Sequence, residues 1–198
     1  MWVMAHFLLW WLGVRKAETQ TTDAERDCLT RHAAGKKRLI EVGVWHGMTT
    51  CRLRTAMASD GVLYGVDPYP IGRLGFRAQR YIAHRETAKI DHGPIRWLRK
   101  TGVEAARDYA EAGEEPADFV FIDGDHSLGG IRGDWEARSG LVAPGGVIAL
   151  HDSVSSGNRK IDDAGSVVFT REVILRDRRF ELVEVLDTLT VLRRRSCA

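Results

Sequence analysis

Apolar positions along this chain follow two alternating periods. Short continuous runs at RLIEVGV, VLYGVD, IRWLRK, DFVFID and GVIALHD are too short for helices and rich in β-branched residues, so they predict buried strands. Between them, MTTCRLRTAMA, FRAQRYIAHRETAK, GVEAARDYAEA and GGIRGDWEARSGLV predict helices, the last with Ile131 and Trp135 on one face. Upstream, TDAERDCLTRHAAG predicts a helix with Thr22 and Glu25 at capping-box spacing and Gly35 as its stop. Near the end, REVILRD reads as helical, and RFELVEVLDTLTVLRRR as two strands joined by a tight turn around Asp187. Buried strands separated by amphipathic helices imply a parallel sheet covered on both faces. The predicted fold is therefore a doubly wound, mostly parallel α/β sheet of seven strands, finished by a C-terminal antiparallel hairpin. In such sheets ligands bind beyond the carboxyl ends of the strands, where strand order reverses.

Composition changes this picture little. A chain of 198 residues with 44% apolar and 28% charged residues is most simply one ordered domain. Net charge is only +2, although the stretch Ile71–Lys100 holds eight Lys or Arg against Glu86 and Asp91. A solvated basic face is the expected reading, ahead of an anionic substrate or nucleic acid. Cys28, Cys51 and Cys197 are odd in number and widely spaced, which argues against a disulfide framework or structural zinc and fits a reducing cytoplasm.

The first 20 residues stand apart, because MWVMAHFLLWWLGVRK is strongly apolar. It is shorter than the roughly 20 apolar residues of a spanning helix and lacks the early charge and cleavage site of an export signal. It is expected to pack on its own domain. A homodimer contact, an active-site lid and shallow membrane attachment through its aromatic rings are the alternatives.

Chemistry gathers at the predicted strand ends. The first strand runs through Glu41 into a glycine turn, EVGVWHGMTT, and the second ends at Asp67. A dinucleotide-binding turn needs a second glycine where backbone approaches the pyrophosphate, and that position is Trp45 here. The turn instead suits a nucleoside carrying positive charge, which S-adenosylmethionine satisfies. Asp67 would accept from ribose hydroxyls, Gly43, Val44 and Gly47 would leave room for the cofactor, and Glu41 would sit near its cationic end. The plainer reading of the two glycines is a tight strand-to-helix turn. Thr101 is a further cofactor candidate, although with Glu104 it has capping-box spacing.

The order EVGVWHG, GVDPYP, DFVFIDGDHSLGGIRGDWE, LVAPGGVIALHDS and FELVEVLDTLTVL resembles the class I S-adenosylmethionine-dependent methyltransferases. It is similar, more narrowly, to a small bacterial branch of metal-dependent O-methyltransferases that includes enzymes acting on sugar hydroxyls. The resemblance covers Arg38–Arg193 and implies an N-terminal arm (1–20) followed by a methyltransferase domain (21–198). It implies that Asp123, with the pair matching His151 and Asp152, holds a divalent metal. That pair is usually acidic or Asp-Asn, so His151 departs from the pattern.

Elementary chemistry agrees with the implied site. Asp123 and Asp152 end predicted neighbouring strands, about 4.8 Å apart, so both carboxylates can reach one Mg²⁺; Mn²⁺ would tolerate an imidazole better. His126 follows Asp123 by three positions in IDGDH. A hydroxyl becomes nucleophilic on losing its proton, and His126 is the candidate base. The expected partner is a small-molecule hydroxyl acceptor, a sugar ahead of a catechol-like phenol. Asp125 reads as a cap of the next helix and Trp135 as core, while His84 and His92 have no role. A nicotinamide dehydrogenase is disfavoured by Trp45. A base-amine methyltransferase is disfavoured because DPYP follows the second strand, not the fourth. A catalytically silent cofactor-binding relative is the remaining alternative.

Overall fold

The five apolar runs form β1 (Arg38–Val42), β2 (Val62–Val66), β3 (Ile95–Leu98), β4 (Ala117–Ile122) and β5 (Val142–Leu150). The C-terminal pair forms β6 (Phe180–Leu186) and β7 (Leu189–Arg194). Together they make one sheet in the order β3-β2-β1-β4-β5-β7-β6. Neighbours among β1 to β5 pair in parallel, and β7 runs antiparallel to both β5 and β6. Strand order reverses between β1 and β4, which puts the expected ligand crevice over their carboxyl ends. The computed structural model describes residues 2–72 and 75–196; Arg73 of the basic stretch and Cys197 lie outside the described residues.

Period-two alternation feeds a core on each face of the sheet. Ile40, Val120, Ile122, Ile148 and Leu150 pack with Ile131 and Trp135 of α6 (Leu128–Arg138) and with Tyr109 of α5 (Gly102–Glu111). Leu39, Leu63, Phe119 and Phe121 pack on the other face with Leu29 of α2 (Asp23–Ala33) and Leu53 of α3 (Met48–Ala56). Trp135 is thus a core residue lying against Phe180. The basic stretch is matched locally, with Lys89 paired to Glu86, Arg96 to Glu114 and Lys100 to Asp108.

Two segments differ from expectation. The helix expected over REVILRD lies earlier, as α7 (Gly165–Glu172), and only a 3-10 turn at Ile174–Arg176 remains of it. Burial of Val167, Thr170 and Ile174, at helical spacing, sets this register. Ser166 fixes its start, donating from N to His126 O and from Oγ to Asp152 O. The apolar N-terminus forms α1 (Trp2–Trp11), which rests on α4 (Ala78–Thr87). Phe7 meets Tyr81 edge-on and Trp10 Nε1 donates to Glu86 Oε1 at 2.7 Å. Leu8, Trp11 and Leu12 remain exposed. No described helix is long and apolar enough to cross a membrane.

Glu25 ties the start of α2 to the hairpin. Its carboxylate accepts from Thr22 N at 2.8 Å, closing the predicted capping box, and from Thr188 N and Oγ1 at 2.9 and 2.7 Å. Burial alone would raise this acid, but donors from His151, Thr22 and Thr188 outweigh it and hold the pKa at about 2. The folded value lies below the ordinary 4.5, so the stabilisation is full above that pH and is lost as pH falls toward 2. Glu25→Gln is expected to cost about 2–3 kcal/mol at neutral pH. Urea unfolding at a series of pH values should show the gap to wild type closing between pH 4.5 and 2.

Candidate active site

The exit of β1 is shaped by its neighbour. Gly43 has φ of 87°, and a side chain there would collide with the backbone carbonyl of Asp123 at the end of β4. Asp67, beyond β2, then braces the turn: its Oδ2 accepts from Val44 N at 3.1 Å and Trp45 N at 3.0 Å, and its Oδ1 from Tyr69 N at 2.8 Å. The amides that a dinucleotide turn would offer to a pyrophosphate are therefore already taken. This adds a second reason, besides the bulk of Trp45, why the turn does not suit a dinucleotide.

Above these strand ends lies a cavity of about 520 Å³, within the usual size for a small-molecule site. Of the expected cofactor residues, Gly43, Val44, Asp67, Thr101 and Asp123 line it. Thr101 also makes the capping box with Glu104 that the spacing predicts. Gly47 does not line the cavity: it caps α3, and its α-carbon faces Ala83 and Thr87 of α4, so its small size serves helix packing. Glu41 lies beneath the floor, fully buried, with both carboxylate oxygens unpartnered. Glu18, Thr19 and Gln20, downstream of α1, form part of the rim.

At the other end, Asp123, His126, His151 and Asp152 converge. Asp123 Oδ1 is 2.8 Å from His151 Nδ1 and 3.4 Å from His126 Nε2. Asp152 Oδ1 is 3.8 Å from His151 Nδ1, and Asp152 Oδ2 is 3.8 Å from His126 Nε2. Behind His151, Nε2 faces Glu25 Oε2 at 3.5 Å. Burial opposes the charge on His151, but Asp123 and Glu25 push its pKa up to about 10. Asp123 is held below the usual carboxylate range, because His126 and His151 outweigh its burial. Asp125 does not cap α6. It accepts from Ser127 N and Oγ at 2.9 and 3.0 Å, and Ser127 is the cap, accepting from Gly130 N. His84 stacks on Trp97, and His92 Nε2 lies 2.9 Å from Met57 O.

These residues fit a divalent cation. His151 Nδ1 and Asp152 Oδ1 are buried without hydrogen-bond partners, the former despite its closeness to Asp123, which lies off the direction of a hydrogen bond. Without a cation His151 is held as the imidazolium; a cation would displace its Nδ1 proton, and Glu25 behind Nε2 would keep the other proton there, as carboxylates behind metal-ligating histidines do. The ligand atoms that lie within 4.8 Å of one another here are those of Asp123, His126 and His151, a set that does not include Asp152. One feature departs from the expected set: Arg159 Nη2 holds Asp152 Oδ2 at 2.5 Å, so only Oδ1 of that acid is free. Sequence reasoning missed Glu25 as a partner of His151, having read it only as a cap, and missed Arg159, which no motif marks.

A mostly parallel sheet with a cavity of about 520 Å³ at its switch point, an acid beneath it and carboxylates and imidazoles at one end is an arrangement that suits a cationic nucleoside ligand. The comparisons agree. Residues 40–153 match a family described as a methyltransferase domain. Tricin synthase 1 of Oryza sativa subsp. japonica is 35% identical over 96 residues, 46% of this chain and 36% of that one. "Probable caffeoyl-CoA O-methyltransferase 2" of Dictyostelium discoideum is 26% identical over 168 residues, 79% of this chain and 68% of that one. Among solved structures, the O-methyltransferase TomG of Streptomyces achromogenes in complex with S-adenosylmethionine has a TM-score of 0.70 at 15% identity, covering 98% of this chain and 88% of that one. The chain belongs to this methyltransferase-domain family. It spans only 36% of the tricin synthase and 68% of the caffeoyl-CoA relative.

Glu41 provides a pH signature. Burial, reinforced by Asp123 and Asp67 against the opposing hydroxyl of Thr50, pushes its pKa up to about 8. Between 4.5 and about 8 the folded, cofactor-free protein therefore holds a proton that the unfolded chain has lost, and stability falls as pH rises through that window. Glu41→Gln should remove this fall. Melting temperatures without cofactor are expected to drop from about pH 5 to about pH 8.5 more in wild type than in the variant.

Proposed function

We propose that this protein is a divalent-metal-dependent methyltransferase that moves a methyl group from S-adenosylmethionine to a hydroxyl of a small molecule. The observation that carries the reading is that two buried polar atoms, His151 Nδ1 and Asp152 Oδ1, stand without hydrogen-bond partners beside Asp123 Oδ1. Bound cofactor would supply an electrophilic sulfonium methyl, and a divalent cation would supply a Lewis acid that eases deprotonation of the acceptor hydroxyl. Asp123, His151 and Asp152 would hold the cation. Mg²⁺ suits the carboxylates, and the imidazole nitrogen improves the fit of Mn²⁺.

The chain's own groups do the rest. His126 Nε2 takes the acceptor's proton, and Asp123 Oδ1 at 3.4 Å and Asp152 Oδ2 at 3.8 Å stabilise the imidazolium that results. Asp67 orients the ribose from the edge of the braced turn. Glu41, neutral until a cation approaches, matches the cofactor's positive end. The family membership and the named relatives support the O-methyl chemistry.

A sugar is the acceptor we favour, because the loop from Ser153 to Ala164, with Arg159, Lys160, Asp162 and Asp163, is polar and charged. A phenol with adjacent oxygens is the second reading, supported by relatives named for tricin and caffeoyl-CoA. The exposed Leu8, Trp11 and Leu12 of α1 support a homodimer contact, checked by light scattering on the eluted protein.

Labelled cofactor with a panel of glycosides and catechols, assayed with and without EDTA, tests reaction and metal together. Turnover is expected to require metal. Asp152→Ala should abolish it with cofactor affinity changed by less than about threefold, Asp123→Ala should abolish it and weaken the cofactor as well, and His126→Ala should lower it by about 10²–10⁴-fold with metal still bound. Asp67→Ala should instead weaken the cofactor. EDTA-insensitive turnover would overturn the metal assignment.

A further inference from the structure

A histidine of α1 has no use in the chemistry above. His6 is only 8% exposed, yet neither its Nδ1 nor its Nε2 finds a hydrogen-bond partner among the described residues. Its ring stacks on that of His46, in the turn after β1, with centroids 5.0 Å apart and planes 14° from parallel. Glu18 stands beside both rings. Its Oε1 lies 3.0 Å from His6 Nδ1, off the direction of a hydrogen bond, and its backbone N donates to His46 Nδ1 at 3.0 Å. One ligand atom from each of His6, Glu18 and His46 falls within 4.8 Å of the other two, and a cavity of about 350 Å³ opens on all three residues. A buried imidazole left unpaired is costly unless a ligand completes it.

The donor set says which ligand that is. Two imidazoles and a carboxylate are the protein ligands of an open zinc site, whose fourth position is left to water. Imidazole nitrogen suits a borderline ion such as Zn²⁺, whereas Mg²⁺ takes oxygen ligands. His46 has the right charge state for this. Its burial, and then the neighbouring His6, outweigh the charge of Glu86 and push its pKa down to about 4, so at neutral pH no proton competes for its Nδ1. Coordination there exchanges one neutral hydrogen bond, from the Glu18 amide, for a bond to the ion. His6, which hydrogen-bonds to nothing, is the ring that can tilt out of the parallel stack to share that ion.

We infer that His6, Glu18 and His46 form a zinc site, separate from the catalytic cluster, that clips the N-terminal helix to the cofactor turn. The ion would join three stretches of chain: α1, the segment after it that forms part of the cavity rim, and the turn that carries Val44 and Trp45. It asks nothing of the acceptor, of methyl transfer or of the cation at Asp123.

Calorimetric titration of the metal-stripped protein with Zn²⁺ tests it. Asp123→Ala, which removes the acid at the centre of the catalytic cluster, should leave this ion in place. Adding His6→Ala should weaken it by about 100-fold or more, since loss of a group merely behind a ligand already costs about 10–100-fold. Glu18→Gln, at a half-exposed side chain, serves if the His6 variant melts well below wild type, and should weaken the ion by at least about 10-fold. Zn²⁺ should also slow amide exchange in α1 of the Asp123→Ala protein, and should not once Glu18→Gln is added. No ion in the Asp123→Ala protein, an ion whose affinity survives both further substitutions, or exchange in α1 indifferent to Zn²⁺ overturns the inference and leaves the reading of the catalytic cluster as it was.

Discussion

Everything at this site depends on where the β4 strand ends. Asp123 leaves the sheet with its carbonyl pressed against Gly43 and its carboxylate against two imidazoles, so the cofactor turn and the catalytic cluster share one residue. Parallel pairing of β4 with β1 and β5 sets that position, and the pairing in turn rests on cores that cover both faces of the sheet. A shift of β4 by one residue would exchange its two faces and carry Asp123 away from both partners.

The cavity gathers carboxyl groups away from water. Glu41, Asp123, Asp134 and Asp152 are all held on or under it, and Glu25 stands behind His151. Some of this charge is already answered: His126 and His151 serve Asp123, and Arg159 serves one oxygen of Asp152. The remainder is not. Such groups are retained where a ligand completes them, and a cationic nucleoside cofactor with a divalent ion would bring the charges and donors that are missing.

Much of this was legible in the sequence. The strand runs, the capping boxes of Thr22 and Thr101 and the C-terminal hairpin follow from period and turn chemistry, which act locally. Asp123, His126 and His151 were legible because each lies within a few residues of a strand end. What escaped depends on distance in the chain. Glu25 meets His151 across 126 positions through the packing of α2, Arg159 reaches back from a loop, and Asp134 approaches Gly102 only because α5 and α6 lie side by side. The register of α7 was misjudged for a related reason. Its buried residues are spaced for a helix, but a glycine and two aspartates before them read as loop.

The most direct measurement is anomalous diffraction from crystals grown with Mn²⁺ and S-adenosylhomocysteine. The proposed mechanism requires a manganese peak within bonding distance of Asp123 Oδ1, His151 Nδ1 and Asp152 Oδ1. A map with cofactor bound, no peak between those atoms, and His151 still lying directly against Asp123 would contradict it.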